Sequence, residues 1–147
     1  MKIRAFAAFL SLLTACSGAA ELPSATFDSV DGALHFTVSD APATPGVLFV
    51  SANASGGAGM VTITSTRYGS TCNTSVSGRA DVTNNAITLH VQFAERTNVF
   101  CTADIRALTY RADVSGLTPG AYSVRVVHAD APDTVGNAVY SANVTVK

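Results

Sequence analysis

The sequence predicts an all-β domain, a two-sheet antiparallel sandwich of about eight strands, with a small closed barrel as the alternative. Three observations carry that expectation. Short runs alternate apolar and polar residues with a period of two, and Gly, Asn, Asp and Pro separate them. No stretch after Cys16 carries the i, i+3, i+4 apolar stripe of a helix long enough to pack. The composition fits as well: 48% of the 147 residues are hydrophobic and 13% charged, with 11 Gly and no Trp. An average soluble domain is about 25% charged, and disorder requires low hydrophobicity with high charge.

The first element is a leader. Met1-Lys2-Ile3-Arg4 supplies a basic start and Ala5 to Leu13 an apolar run, too short to cross a bilayer as a helix, which takes about 20 residues. Leu13-Thr14-Ala15-Cys16-Ser17 follows. This stretch resembles the lipobox of bacterial lipoproteins: a branched apolar residue, two small residues and the cysteine that is acylated. The resemblance implies cleavage before Cys16, a lipid on its sulfur, and partnership with a membrane. Ser17, where an Asp would mark retention, implies the outer membrane in a Gram-negative cell, so the protein is expected in the cell envelope. An ordinary secretory signal cut near Ala19-Ala20 is the alternative. The expected division is residues 1–15 as signal peptide, 16–25 as lipidated tether and 26–147 as one domain, close to the commonest domain size. Removing Lys2 and Arg4 with the leader takes the formal charge from −1 to about −3. The remaining basic residues are scattered, which argues against a nucleic-acid partner, since that needs a basic footprint.

Within the domain, Leu34, Phe36 and Val38 alternate with polar neighbours. Val47-Leu48-Phe49-Val50 reads as a strand buried on both faces, and Met60 to Thr66 as a Thr-rich strand with Val61 and Ile63 on one face. Asn84-Asn85 suits a two-residue type I′ turn, because Asn tolerates the left-handed backbone. That turn makes position i face position 169−i. Val82 then meets Ile87, Ala80 meets Leu89, Gly78 meets Val91 and Val76 meets Phe93, all on one face. Asp81 with Thr88, Arg79 with His90 and Ser77 with Gln92 fill the other. A slip of one residue would mix the two sets.

Cys72 and Cys101 are expected to pair in an oxidising compartment, two buried free thiols being the alternative. The bridge would close a loop of about 30 residues, worth roughly 3–4 kcal/mol if unstrained. In the hairpin register Cys72 faces residue 97, so such a bridge is not a simple cross-strand rung.

Tyr110, Ala112 and Val114 alternate before Leu117-Thr118-Pro119-Gly120-Ala121-Tyr122-Ser123-Val124-Arg125-Val126. The pattern Leu-x-Pro-Gly-x-Tyr-x-Val-x-Val resembles the corner and following strand of fibronectin-III-like and bacterial Ig-like sandwiches. The resemblance implies an Ig-like β-sandwich in which Leu117 plugs the core, Pro119 and Gly120 turn the chain, and Tyr122 bonds back to upstream backbone. The missing core Trp, the strand after Tyr122 without cysteine and the position of the Cys72–Cys101 pair depart from that pattern. A last strand carries Tyr140, Ala142, Val144 and Val146 in phase.

Nothing in the sequence calls for catalysis or a cofactor. There is no Gly-x-Ser-x-Gly nucleophile turn and no glycine-rich loop opening a helix; the acidic residues sit at turns, where Asp is favoured structurally. His90, His128 and Asp130 form a weak alternative metal set, and Tyr122 to Gly136 loosely resembles the end of periplasmic copper-carrier domains, without their Asp-Gly-His. Ser51–Gly59, Tyr68–Asn73 and Ala129–Asn137 are the loops on which function would sit. The expected role is a lipid-anchored binding, adhesion or structural module of the envelope, its partner an envelope protein or glycan. If Cys16 is the lipid site, cells grown with labelled palmitate will yield labelled protein, and Cys16→Ser will remove all of the label.

Overall fold

The computed structural model describes residues 25–29, 32–42, 51–69, 74–95 and 105–147. Cys16, Cys72, Cys101 and the apolar run at 47–50 lie outside these residues. The described chain is all-β, with strands β1 (Ala25–Ser29), β2 (Gly32–Pro42), β3 (Ser51–Gly57), β4 (Met60–Gly69), β5 (Thr74–Thr83), β6 (Ala86–Glu95), β7 (Arg106–Ser115), β8 (Gly120–Asp130) and β9 (Asn137–Val146). They form a five-stranded sheet in the order β1-β2-β7-β4-β3 and a four-stranded sheet in the order β5-β6-β8-β9.

The core between the sheets follows the period of two. Leu34 and Phe36 from β2, Val61 and Ile63 from β4, and Tyr110, Ala112 and Val114 from β7 are buried on one side. Ile87, Leu89, Val91 and Phe93 from β6 meet them with Tyr122, Val124 and Val126 from β8 and Val144 and Val146 from β9. Burying each such aliphatic or aromatic side chain contributes about 1.5–3 kcal/mol. The β5–β6 hairpin has the register that its alternation demands: Val82 faces Ile87, Ala80 faces Leu89, Gly78 faces Val91 and Val76 faces Phe93.

Three expectations need correction. The sandwich is not wholly antiparallel, because β6 and β8 pair in parallel, Ile87 beside Val124 and Leu89 beside Val126. The chain leaves β6, crosses to the other sheet as β7 and comes back to start β8 at the end where β6 started. A parallel pair needs such a long connection. Second, only Asn84 of the turn has positive φ, at 54°; positive φ at the first central residue alone belongs to a II′ turn, not I′. Third, Ser51–Gly59 is not a free loop. Its first seven residues pair with β4 as β3, Ser51 opposite Thr66 and Gly57 opposite Met60. The segment lacks large apolar residues because it is an edge strand, and a Cβ on Gly56 would overlap the Thr145 backbone of β9.

That contact is one part of a seam between the sheets. Gly59 N–H donates to the Lys147 carbonyl at 3.0 Å and Lys147 N–H to the Gly57 carbonyl at 2.9 Å. Ala54 N–H donates to the Tyr140 hydroxyl at 3.1 Å. The edge strands β3 and β9 are thereby tied to one another, which blunts the template an open edge presents. The corner forms beside the seam. Leu117 is buried at 7% exposure and its N–H reaches the Gly59 carbonyl at 3.1 Å. The Tyr122 hydroxyl donates to the Thr118 carbonyl at 3.1 Å.

Gly78 leaves room for the Phe36 ring from the opposite sheet, which a Cβ at 78 would overlap. Gly78→Ala should therefore cost about 1–3 kcal/mol through overpacking, read as a fall in the urea midpoint. Combining it with Phe36→Leu should recover part of the loss.

Candidate functional site

Among the described residues, three places bring polar side chains together: the outer face of β5 and β6, a buried cluster behind it, and the outer face of the five-stranded sheet. On the outer face, a half-open groove of about 340 Å³ is lined by Ser77, Arg79, His90 and Gln92 along one side and by Thr134 at the other, over Val127 and Ala129. The hairpin register supplies the first four, since Arg79 faces His90 and Ser77 faces Gln92. Asp81 holds Arg79 and His90 in place. Its Oδ2 lies 3.0 Å from Arg79 Nη2 and 3.3 Å from His90 Nε2. These side chains are partly exposed, so the ion pairs position groups more than they stabilise the fold.

The second wall is the 131–136 turn between β8 and β9, and its shape is fixed by local bonds. Ala131 N–H donates to the Phe93 carbonyl at 2.8 Å and Asp133 N–H to the Asp130 carbonyl at 2.9 Å. The Asp133 carboxylate caps Val135 N–H at 2.9 Å, an Asx turn. Gly136 has φ of 62° and abuts the His128 carbonyl so closely that a side chain would overlap it. The groove wall thus depends on a glycine.

His128 points the other way. In the parallel ladder it stands beside Val91, while His90 stands beside Val127. Alternation therefore sends His128 into the core and His90 to the outer face. His128 is 8% exposed, and its Nε2 lies 2.7 Å from the Tyr110 hydroxyl. Its ring meets Phe93 and Tyr110 edge-on, with centroids 5.1 and 5.7 Å away. Tyr110 in turn stacks on Phe36. Arg67 covers the outer side of Phe93 at 4.3 Å and pairs with Asp130 at 2.8 Å. The metal set His90, His128 and Asp130 is therefore not assembled: one histidine faces out, one faces in, and the carboxylate is turned to Arg67. Among the described residues no group of three His, Cys, Asp or Glu side chains could hold a metal ion.

Burial governs both partners of the Tyr110–His128 bond. Desolvation pushes the Tyr110 phenol up to about 12. Desolvation, followed by the nearby Arg67 charge, pushes His128 down to about 4, with Asp130 opposing. Both are neutral at pH 7, and which one donates follows the imidazole tautomer. Ser65, opposite Tyr110 on β4, is buried with its hydroxyl unpaired. It lies near enough to the phenol to offset a little of the effect of burial.

The outer face of the five-stranded sheet is polar and carries its own hydrogen-bonded cluster. Thr62 Oγ1 donates to Asp113 at 2.6 Å, Arg111 donates to the same carboxylate at 2.8 Å, and the Thr66 and Thr109 hydroxyls bond at 2.9 Å. Burial alone would raise the Asp113 carboxyl, but the bonds from Arg111 and Thr62 and the charges of Arg111 and His35 hold it below its ordinary value. His35 is exposed beside this group.

Ser77, His90 and Asp81 share one face without forming a hydrolytic triad. Asp81 occupies the His90 Nε2 side, and no hydrogen bond links Ser77 to His90 among the described residues. Sequence reasoning had placed Arg79, Gln92 and Ser77 beside His90 through the hairpin register. It named Ala129–Asn137, which holds Thr134, as a candidate functional loop, but neither the extension of β8 through Asp130 nor the placement of this segment beside the hairpin, which depends on the parallel pairing, could be read. Comparison with known protein families, curated proteins and solved structures gave no match.

The buried imidazole gives a pH dependence with a definite sign. The folded value lies below the unfolded value near 6.5, so the unfolded chain binds the extra proton first. Stability is full above pH 6.5, falls as pH drops toward 4, and levels off below. The loss from this group is about 3 kcal/mol. Urea midpoints measured from pH 7 to 4 should follow that curve, and His128→Phe should flatten it over the same interval.

Proposed function

We propose that this chain is a lipid-anchored envelope module that binds a glycan in the groove between the β5–β6 outer face and the 131–136 turn. The observation that carries the reading is the convergence of Ser77, Arg79, His90, Gln92 and Thr134 around the Val127 and Ala129 floor. Ligand sites combine an apolar surface with a few directional polar groups in a cavity of about 300–1,000 Å³. Hydroxyl, amide and guanidinium groups at the walls, with aliphatic carbons beneath, match the alternating hydroxyls and C–H faces of a sugar.

A protein partner is less well supported. Protein docking leaves contiguous apolar patches or open edges. Here the exposed large hydrophobic residues among those described are Ile105, Val135 and Val139, none of them in the middle of a sheet face, and β3 is tied to β9. The anchor rests on the lipobox-like Leu13-Thr14-Ala15-Cys16, and the Ig-like kinship on the Leu117–Tyr122 corner.

The test is a titration of the folded domain with soluble oligosaccharides from cell-wall digests, followed by backbone amide NMR. The expected shifts cluster at Ser77, His90, Gln92 and Thr134. Arg79→Ala with Gln92→Ala should weaken binding by about tenfold or more, the loss expected when one or two directional hydrogen bonds go. Shifts elsewhere, or none, overturn the groove as the binding site.

A further inference from the structure

Strand β1 runs from Ala25, opposite Phe36, to Ser29, opposite Gly32. Its direction of travel is toward the end of the sandwich that carries the 57–59 turn and the seam to Lys147. At the opposite end β2 finishes at Pro42, β7 starts at Arg106 and the 131–136 turn joins β8 to β9, and a tether continuing the line of β1 backwards would head for it.

Chain length makes that direction consequential. From the height of Ala25 to this end, β2 extends six further residues beyond Phe36, about 20 Å of strand. Residues 17–24 and the bonds flanking them span at most roughly 30 Å even when fully drawn out. A tether that follows the direction set by β1 passes this end with about 10 Å to spare.

The same end bears all of the exposed large apolar side chains among the described residues. Ile105, just before β7, is 58% exposed; Val135, in the 131–136 turn, is 80% exposed; Val139, at the start of β9, is 38% exposed. Among the described residues the far end presents Ala58, Asn84, Asn85, Gly116, Thr118 and Pro119 instead, all exposed and none a large aliphatic. Single exposed apolar residues are ordinary. Their confinement, among the described residues, to the end that a tether continuing the line of β1 would pass is the observation that needs a cause.

We infer that the sandwich stands on the lipid surface on this end, with Ile105 and Val135 in the headgroup region and the 57–59 turn pointing away. The inference rests on acylation of Cys16 and adds an orientation to it. Aliphatic side chains gain by entering the interface, where a weak contact suffices because the anchor already supplies proximity.

The chain contains no tryptophan, so single tryptophans report position without background. Ile105→Trp, Val135→Trp and Ala58→Trp, all at exposed sites, are made in the full-length chain, recovered from bacterial membranes. Each is reconstituted into phosphatidylethanolamine–phosphatidylglycerol vesicles, with and without bromine on the acyl chains. Tryptophan at 105 and 135 should emit at shorter wavelength and lose most of its emission in brominated vesicles, while tryptophan at 58 keeps its emission. Protein that floats with the vesicles and carries palmitate, yet is quenched at none of the three sites or equally at all, overturns the orientation and leaves the anchor standing. Protein that carries no acyl group and does not float overturns the anchor and the orientation together.

Discussion

The parallel ladder between β6 and β8 sets the phase on which the rest of the four-stranded sheet depends. Side chains alternate along each strand, and laterally paired residues share a face, so one pairing decides every orientation in both strands. With Leu89 beside Val126, Val91 must stand beside His128 and His90 beside Val127. One histidine goes into the core and the other onto the surface, although the ladder sets them on neighbouring rungs. A shift of β8 by one residue would put both on the outer face. It would also bring Val127 and Ala129 inward and strip the groove of its floor.

The inward histidine costs the fold something. A buried imidazole has to stay neutral and hydrogen-bonded, and Tyr110 meets that need from the opposite sheet. The bond is a buried polar link between the two sheets, and its two partners are held by rings on either side, Phe36 behind the tyrosine and Phe93 against the histidine. Pairing of this kind defines how the sheets align, because an aliphatic contact tolerates sliding and a directed bond at 2.7 Å does not. The unpaired Ser65 hydroxyl beside it is the unsatisfied member of the group. Such a group costs about 1–3 kcal/mol when buried.

Much of the architecture was legible where apolar residues alternate strongly. The β5–β6 hairpin could be read to the residue, because only one register separates Val76, Gly78, Ala80 and Val82 from Ser77, Arg79 and Asp81. Tyr122 at the corner was also legible, since its motif fixes a local bond. What escaped was non-local. β3, with sequence SANASGG, carries no large apolar residue and owes its strand to β4 and β9. The parallel β6–β8 pair follows from a crossing between sheets that no local pattern records. The metal set failed for the same reason: His90, His128 and Asp130 look like ligands on a list and are separated only by the facing of a strand. The groove was half visible, one wall in the hairpin and the other contributed by a turn some 40 residues later.

The seam between β3 and β9 has a kinetic side. Ala54 and Tyr140, which it joins, lie 86 residues apart in the chain, and β4, β7 and β2 are likewise joined across long separations. Folds dominated by such distant pairings acquire them late and slowly, since loop closure must be met before the contacts reward it. Until β9 is available, β3 has no outer neighbour and the sandwich stays open along one side. A chain of this topology cut short of β9 would therefore keep β3 as an open edge, a template on which another chain could pair.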